Sequence, residues 1–154
     1  MRTWRLCQAR FAATAFSGDG ARHYSGRWHW LGTPLIYTAS SLSLAALEIL
    51  VHADQDLLPG AFVAYAVDIP AGLHLQHLTM KQLPSDWQEV PAPDATTDLG
   101  TAWLKAGKAV GLIVPSALVP QEQNVLLSPQ HPDFTRLRIG APEPFSFDPR
   151  LRRK

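Results

Sequence analysis

Apolar and polar residues alternate over Thr3–Leu6, with Trp4 and Leu6 on one face and Thr3 and Arg5 on the other. That period predicts a short strand. Phe62–Ile69 (FVAYAVDI) alternates over a longer run and predicts a second strand, ended by Pro70. Leu35–Thr38 (LIYT) and Val110–Val114 (VGLIV) are nearly continuous apolar runs and read as buried strands. Leu73–Leu78, Val125–Leu127 and Phe134–Ile139 predict three more. The period changes over Leu42–His52, which predicts a helix with Ser40 and Ser41 as natural N-caps. At about 100° per residue, Ser41, Ala45, Glu48 and His52 form one stripe of it. Leucine, isoleucine, valine and alanine fill most of the remaining circumference, so the helix is expected to be largely buried. A second helix spans Leu99–Ala106 and stops at Gly107.

Between these elements, Phe16–Ser25 reads as a loop and Gly32-Thr33-Pro34 as a turn. Lys81–Asp98 reads as a long connection, with a short helical turn starting at Pro84. From about residue 142 the chain is punctuated by proline and is expected to be irregular. Helices and strands mix without regular β-α-β alternation. The expected fold is α+β: one compact domain over residues 1–154, with a mixed or antiparallel sheet and flanking helices.

Composition narrows the function classes. With 154 residues, 46% apolar and 18% charged, the chain suits one folded domain with a full core. A net charge of +1 gives no general case for nucleic-acid or membrane binding. The basic cluster Arg150, Arg152, Arg153 and Lys154 reads as a solvated terminus, or else as a contact for an acidic partner. Cys7 is the only cysteine, so no intramolecular disulfide forms and a cytoplasmic setting fits. It reads as a small buried residue rather than a nucleophile. The N-terminus lacks an apolar signal core, and no run is long enough to span a bilayer. The chain is therefore expected to be soluble and intracellular.

The candidate chemistry gathers around Gly26–His52. Arg27 lies among Tyr24, Trp28 and Trp30. It could stack on the rings and pair with an anion, or point outward while Trp28 and Trp30 pack as one face of a strand. Arg5 is either an edge-strand surface residue or a guanidinium aimed into a cleft. Tyr37 is either a core tyrosine with its hydroxyl satisfied or a platform for a planar ligand. Glu48 is the sole acid of its helix. Such a carboxylate must be hydrogen-bonded, face a cavity, or pair at the helix edge with His52. Gly18-Asp19-Gly20 is too weak a pattern for a phosphate loop. His74 and His77 lack a third ligand, and no metal is expected.

These residues resemble the RES domain family, named for an arginine, a glutamate and a serine. The matching positions are Arg5 in TWRL, Glu48 in SLSLAALEILVH and Ser116 in IVPSALVP. The stretches GRW…GTPLIYTASS and VPQEQNVLLSPQHPDF are also similar, so the likeness runs from about residue 4 to residue 139. Ser128 departs from it, since asparagine is common there. The resemblance implies a fold related to ADP-ribosyltransferases of the diphtheria-toxin type. It also implies a toxin of a bacterial toxin–antitoxin pair, NAD as substrate, and an Xre-like antitoxin as partner. A homodimer within the toxin–antitoxin complex is an open expectation, with no direct nucleic-acid binding. The family's functional positions fall on Arg5, Arg27, Tyr37, Glu48 and Ser116. Ser40 and Ser41 are counted with the substrate-binding group.

Cleaving the nicotinamide–ribose bond passes through an oxocarbenium-like cation. Pyridinium is already a good leaving group, so no strong acid is needed. Arg5 and Arg27 suit a diphosphate clamp, because a guanidinium fork matches phosphate oxygens; Tyr37 suits a nicotinamide platform, and Glu48 could hydrogen-bond a ribose hydroxyl and stabilise the growing positive charge. Ser116 orients Glu48, binds the nicotinamide amide, or is an ordinary turn serine. The picture is one carboxylate facing two guanidiniums across a shared pocket. Water or phosphate is the expected acceptor. The alternatives are ADP-ribosylation of a protein target and a non-catalytic nucleotide-binding module. A metal site built from His23, His29, His52, His74 and His77 is the least supported reading.

Overall fold

A computed structural model of the chain describes residues 1–52 and 60–151. Arg152, Arg153 and Lys154 of the basic cluster lie outside the described residues. The strands are β1 (Arg2–Gln8), β2 (Ile36–Ala39), β3 (Phe62–Asp68), β4 (Leu75–His77), β5 (Gly111–Pro115), β6 (Gln123–Leu127), β7 (Arg138–Ile139) and β8 (Glu143–Phe145). The helices are α1 (Asp19–His23), α2 (Leu42–His52) and α3 (Asp94–Ala106). The strands form one mixed sheet in the order β4-β5-β6-β2-β1-β3-β7, with β8 also paired to β3. Only the β4–β5 pair is parallel among the described strands.

The sheet is pinched at its centre. β1 and β3 pair along their whole length, whereas β1 and β2 share the single register pair Trp4↔Ala39. Past that pair the two strands part.

Core residues cover both faces. Leu126 of β6 and Leu112 and Val114 of β5 pack with Trp28, Trp87 and Trp103. Their neighbours Val125 and Leu127 pack on the opposite face with Ile36, Val67 and Val110. Covering both faces is what makes these strands read as continuous apolar runs. α2 seals the pinch, with Leu44 and Ala45 against Leu6, Ala39 and Phe62. Among the described residues, no helix is long and apolar enough to cross a membrane.

Five expectations are corrected here. α2 has the predicted bounds, but it is buried on one side only; Leu47 is 41% and Val51 59% exposed. The Phe16–Ser25 loop contains α1, whose Asp19 occupies the first turn after a left-handed Gly18 (φ 77°). α3 begins at Asp94, inside the expected connection. Its first turn hid in the sequence because Thr96 and Thr97 are poor helix formers. They are buried for packing: Thr96 Oγ1 donates to the Pro93 carbonyl at 2.8 Å. Phe134–Ile139 is only partly strand. A 3-10 turn over Pro132–Arg136 takes its start, with His131 Nδ1 accepting from the Asp133 N–H at 3.1 Å. The tail from residue 142 is not irregular throughout, since β8 pairs with β3 and sets Pro144 opposite Val63. Proline is tolerated at that sheet edge. Phe147 meets Phe62 of β3 edge to face at 5.1 Å and holds the tail down.

Candidate active site

α2 docks through Leu44 and Ala45, which leaves Glu48 beside β6 and the turn after β5. Glu48 Oε1 accepts hydrogen bonds from Asn124 Nδ2 at 2.6 Å and from Ser116 Oγ at 3.1 Å. Ser116 is fully buried. Its Oγ also accepts the N–H groups of Leu118 and Val119 at 3.1 and 3.2 Å. With its acceptor sites filled, its one proton goes to Glu48. Among the described residues, the polar contact of Glu48 Oε2 is the His52 ring at 3.9 Å, and that ring is 77% exposed against 27% for Glu48. The carboxylate is therefore fixed through one oxygen by buried donors, and the other has no hydrogen bond among the described residues.

Arg27 sits in a tight turn, not a strand. The backbones of Gly26 and His29 bond to each other in both directions, at 3.1 and 3.3 Å. The small, polar face of α3 holds this turn. Thr97 Oγ1 donates to the Arg27 carbonyl at 3.3 Å, and Thr101 Oγ1 accepts the Trp30 N–H at 3.0 Å. A Cβ on Gly100 would lie 1.9 Å from the Trp28 carbonyl oxygen. Trp28 is buried and Trp30 is 40% exposed, so they do not share a strand face. The described residues show cation–π contacts only for Arg5 over Phe16 and Arg10 over Phe11. Arg27 is not stacked; it donates through Nη1 to the Trp87 carbonyl and through Nη2 to the Glu89 carbonyl at 3.2 Å. Gln88 Nε2 in turn donates to the Ala117 carbonyl at 3.1 Å. Residues 87–89 thus run as a strap from Arg27 to the neighbour of Ser116.

Burial lowers the pKa of Arg27, and the charge of Glu48 opposes that shift. Tyr37 is pushed the other way: burial raises its pKa, Glu48 adds to the rise and Arg27 opposes it. These three residues share one electrostatic neighbourhood. Arg5 joins it differently. Its Nη1 donates to the Tyr37 carbonyl at 2.9 Å, where β1 and β2 part. Its guanidinium carbon lies 5.9 Å over the Phe16 ring, and its Nε is buried with no hydrogen-bond partner. Burial lowers the Arg5 pKa. Among the described residues, no ion pair or hydrogen bond joins Arg5 to Glu48. Among the described residues the side-chain hydrogen bonds of both guanidiniums go to backbone carbonyls rather than to the carboxylate. A buried cation without a carboxylate is a costly arrangement that an incoming anion would relieve.

Ser40 and Ser41 are engaged in structure. Ser41 Oγ accepts the Leu44 N–H at 3.1 Å, capping α2, and donates to Glu122 Oε2 at 2.8 Å. Ser40 Oγ lies 3.5 Å from the same oxygen. Both serines tie the start of α2 to the residues entering β6. Burial raises the pKa of Cys7 and keeps it a thiol. Among the described residues no three His, Cys, Asp or Glu side chains gather to hold a metal ion. Asn124 is not among the residues that the sequence singles out, and His29 enters there only as one of five histidines in the metal reading. The only signal for Asn124 is an amide inside the apolar run QNVLL; buried amides need partners.

Two surface depressions lie elsewhere. One of about 330 Å³ is bounded by Pro34, Lys105 and His131, and one of about 550 Å³ by Leu83, Asp98 and Leu99. Neither contains the buried, convergent polar groups that mark the Glu48 region.

Comparisons with known proteins place the whole chain. The RES domain family matches residues 2–148. The chain is 42% identical over 134 residues to "Toxin Res" of Photorhabdus laumondii, covering 87% of this chain and 85% of that protein. It is 41% identical to "Toxin Res" of Yersinia enterocolitica, covering 99% of this chain and 100% of that one. It is 34% identical to the "Prs ADP-ribosylating toxin" of a Sphingobium species, covering 98% and 96%. Its fold is similar to one in the crystal structure of the M. tuberculosis MbcT-MbcA toxin-antitoxin complex, with TM-score 0.78, 22% identity, and coverage of 94% of this chain and 84% of that one. A family match over residues 2–148 and 41% identity across the full length of a relative lead to one assignment: the chain belongs to the RES domain family.

Proposed function

We propose that this protein is the toxin of a toxin–antitoxin pair and that it consumes NAD by cleaving the nicotinamide–ribose bond. The observation that carries the reading is the state of Glu48: one oxygen held by Asn124 and Ser116, the other without a hydrogen bond among the described residues. Two neutral donors on Oε1 fix the carboxylate without cancelling its charge. Oε2 would then accept a ribose hydroxyl and stabilise the positive charge that grows on the ribose as nicotinamide leaves. Arg5, with a buried N–H still without a partner, would take a diphosphate oxygen. The remaining donors of Arg27 would take another. The Tyr37 ring would carry the nicotinamide. Ser116 acts through Glu48. Water or inorganic phosphate would attack the ribosyl cation.

A relative named as an ADP-ribosylating toxin supports a second reading, transfer to a protein side chain. A similar fold in a toxin–antitoxin complex supports restraint by an antitoxin, for which we propose an Xre-like protein.

The test is to incubate purified protein with NAD, with and without phosphate, and follow free nicotinamide. Release that disappears in a folded Glu48→Gln variant is expected. Incorporation of ADP-ribose into a protein, with little free ADP-ribose, would favour the second reading. No release with any acceptor, alongside intact NAD binding, would make the protein a binding module and overturn the proposal.

A further inference from the structure

The turn that carries Arg27 also carries His29, and the placement of His29 determines where its protons lie. His29 is buried and both ring nitrogens are engaged. Nε2 lies 2.8 Å from the Tyr24 carbonyl oxygen and Nδ1 lies 2.8 Å from the Tyr37 hydroxyl. A carbonyl only accepts, so Nε2 carries the hydrogen. Burial lowers the His29 pKa below 6.5, and the carbonyls of Tyr24 and Ala21 only partly oppose this. The ring is therefore neutral at pH 7, and Nδ1 is an acceptor. The Tyr37 hydroxyl donates to it. The remaining contact of that hydroxyl is a long one, from the Trp28 N–H at 3.4 Å.

Tyr37 is thus held at both ends. Arg5 holds its carbonyl at 2.9 Å and His29 holds its hydroxyl. The backbone makes room for the second contact. A Cβ on Gly26 would lie 2.7 Å from both the Tyr37 hydroxyl and His29 Cε1. Only glycine lets the turn close on this pair. The charged groups that reach Tyr37 are Glu48 and Arg27. Asp98, next along α3, is occupied by the Trp30 indole N–H at 2.6 Å.

We propose that His29 is a positioning residue for Tyr37: its Nδ1 anchors the tyrosine hydroxyl, sets the tilt of the ring and so sets how tightly the site holds a planar nicotinamide. This rests on the reading of Tyr37 as the nicotinamide platform. His29 touches no substrate and acts only through the hydroxyl. Its loss therefore appears in binding rather than in the bond-breaking step.

The experiment is a double-mutant cycle on NAD binding and turnover. His29→Ala is expected to raise KM and Kd for NAD about tenfold, the worth of one buried hydrogen bond, with kcat nearly unchanged. His29→Asn, whose Oδ1 can stand where Nδ1 stood, is expected to restore most of the affinity. In a Tyr37→Phe background, His29→Ala is expected to add nothing. Equal effects in both backgrounds, or a folded His29→Ala protein with wild-type KM, would overturn the inference while leaving the site reading intact. A wild-type protein that neither binds nor consumes NAD would overturn both.

Discussion

Asn124 on β6 and Ser116 after β5 donate to the same oxygen of Glu48, at 2.6 and 3.1 Å. Two donors on one oxygen fix the orientation of the carboxylate and, among the described residues, leave the other oxygen without a hydrogen bond. They also make the two residues energetically dependent on each other, since each limits the freedom that the other removes.

Removing the amide should therefore cost activity more than stability. Asn124→Ala is expected to lower kcat/KM by about tenfold to a hundredfold, in the range of a lost charge-assisted hydrogen bond at a reacting site. The combined Asn124→Ala, Ser116→Ala variant should lose less than the product of the two single losses. Steady-state nicotinamide release across the four proteins checks this.

Arg27 should behave as an anchor as well as a ligand group. Its guanidinium holds the carbonyls of Trp87 and Glu89. In Arg27→Ala, those carbonyls lose a charged donor, and about 1–3 kcal/mol of stability is expected to go with it. Amide exchange should rise in residues 84–91 and stay unchanged in β5 and β6. Hydrogen-exchange mass spectrometry without NAD separates this from a loss of ligand binding.

Gly100→Ala should damage the site from behind. The added carbon would sit 1.9 Å from the Trp28 carbonyl oxygen, on a helix whose Thr97 and Thr101 hold the Arg27 turn. Overpacking of this kind costs about 1–3 kcal/mol. A lower Tm and a raised KM for NAD are expected together, whereas Gly20→Ala, with open space around it, should change neither.

His29 also gives a pH signature. Its folded pKa lies below 6.5 because burial favours the neutral ring. Below that pH the unfolded chain binds the proton more readily than the folded one, so protonation favours unfolding. The contribution is fully present above pH 6.5 and is lost as pH falls toward the depressed folded value. Tm measured from pH 7.5 to 5 should drop in the wild type and fall less in His29→Asn. The Arg2–Asp68 pair holds the Asp68 pKa below its ordinary 3.8, so its own loss comes at lower pH.

Much of the fold could be read from residue pattern. The bounds of α2 follow from its apolar stripes and serine cap, and the Leu44 N–H donates to Ser41 Oγ as that cap requires. β3 follows from clean alternation. What was missed has local causes. β8 contains a proline, and α3 opens with threonines that serve packing. Arg27 reads as an aromatic-flanked strand residue, yet Gly26 and His29 close a turn around it.

The chain alone established that Glu48 could not stand unpartnered on an apolar helix, because a bare buried carboxylate is too costly. It also placed Arg5 on a strand and Tyr37 in an apolar run. It did not name the partners. Asn124 lies 76 residues from Glu48, and Arg5 lies 32 from the carbonyl it holds. Periodicity records which face a residue presents, since that depends on its own neighbours in the chain. Which groups meet depends on strand order and on where β1 parts from β2, and only the folded sheet sets those.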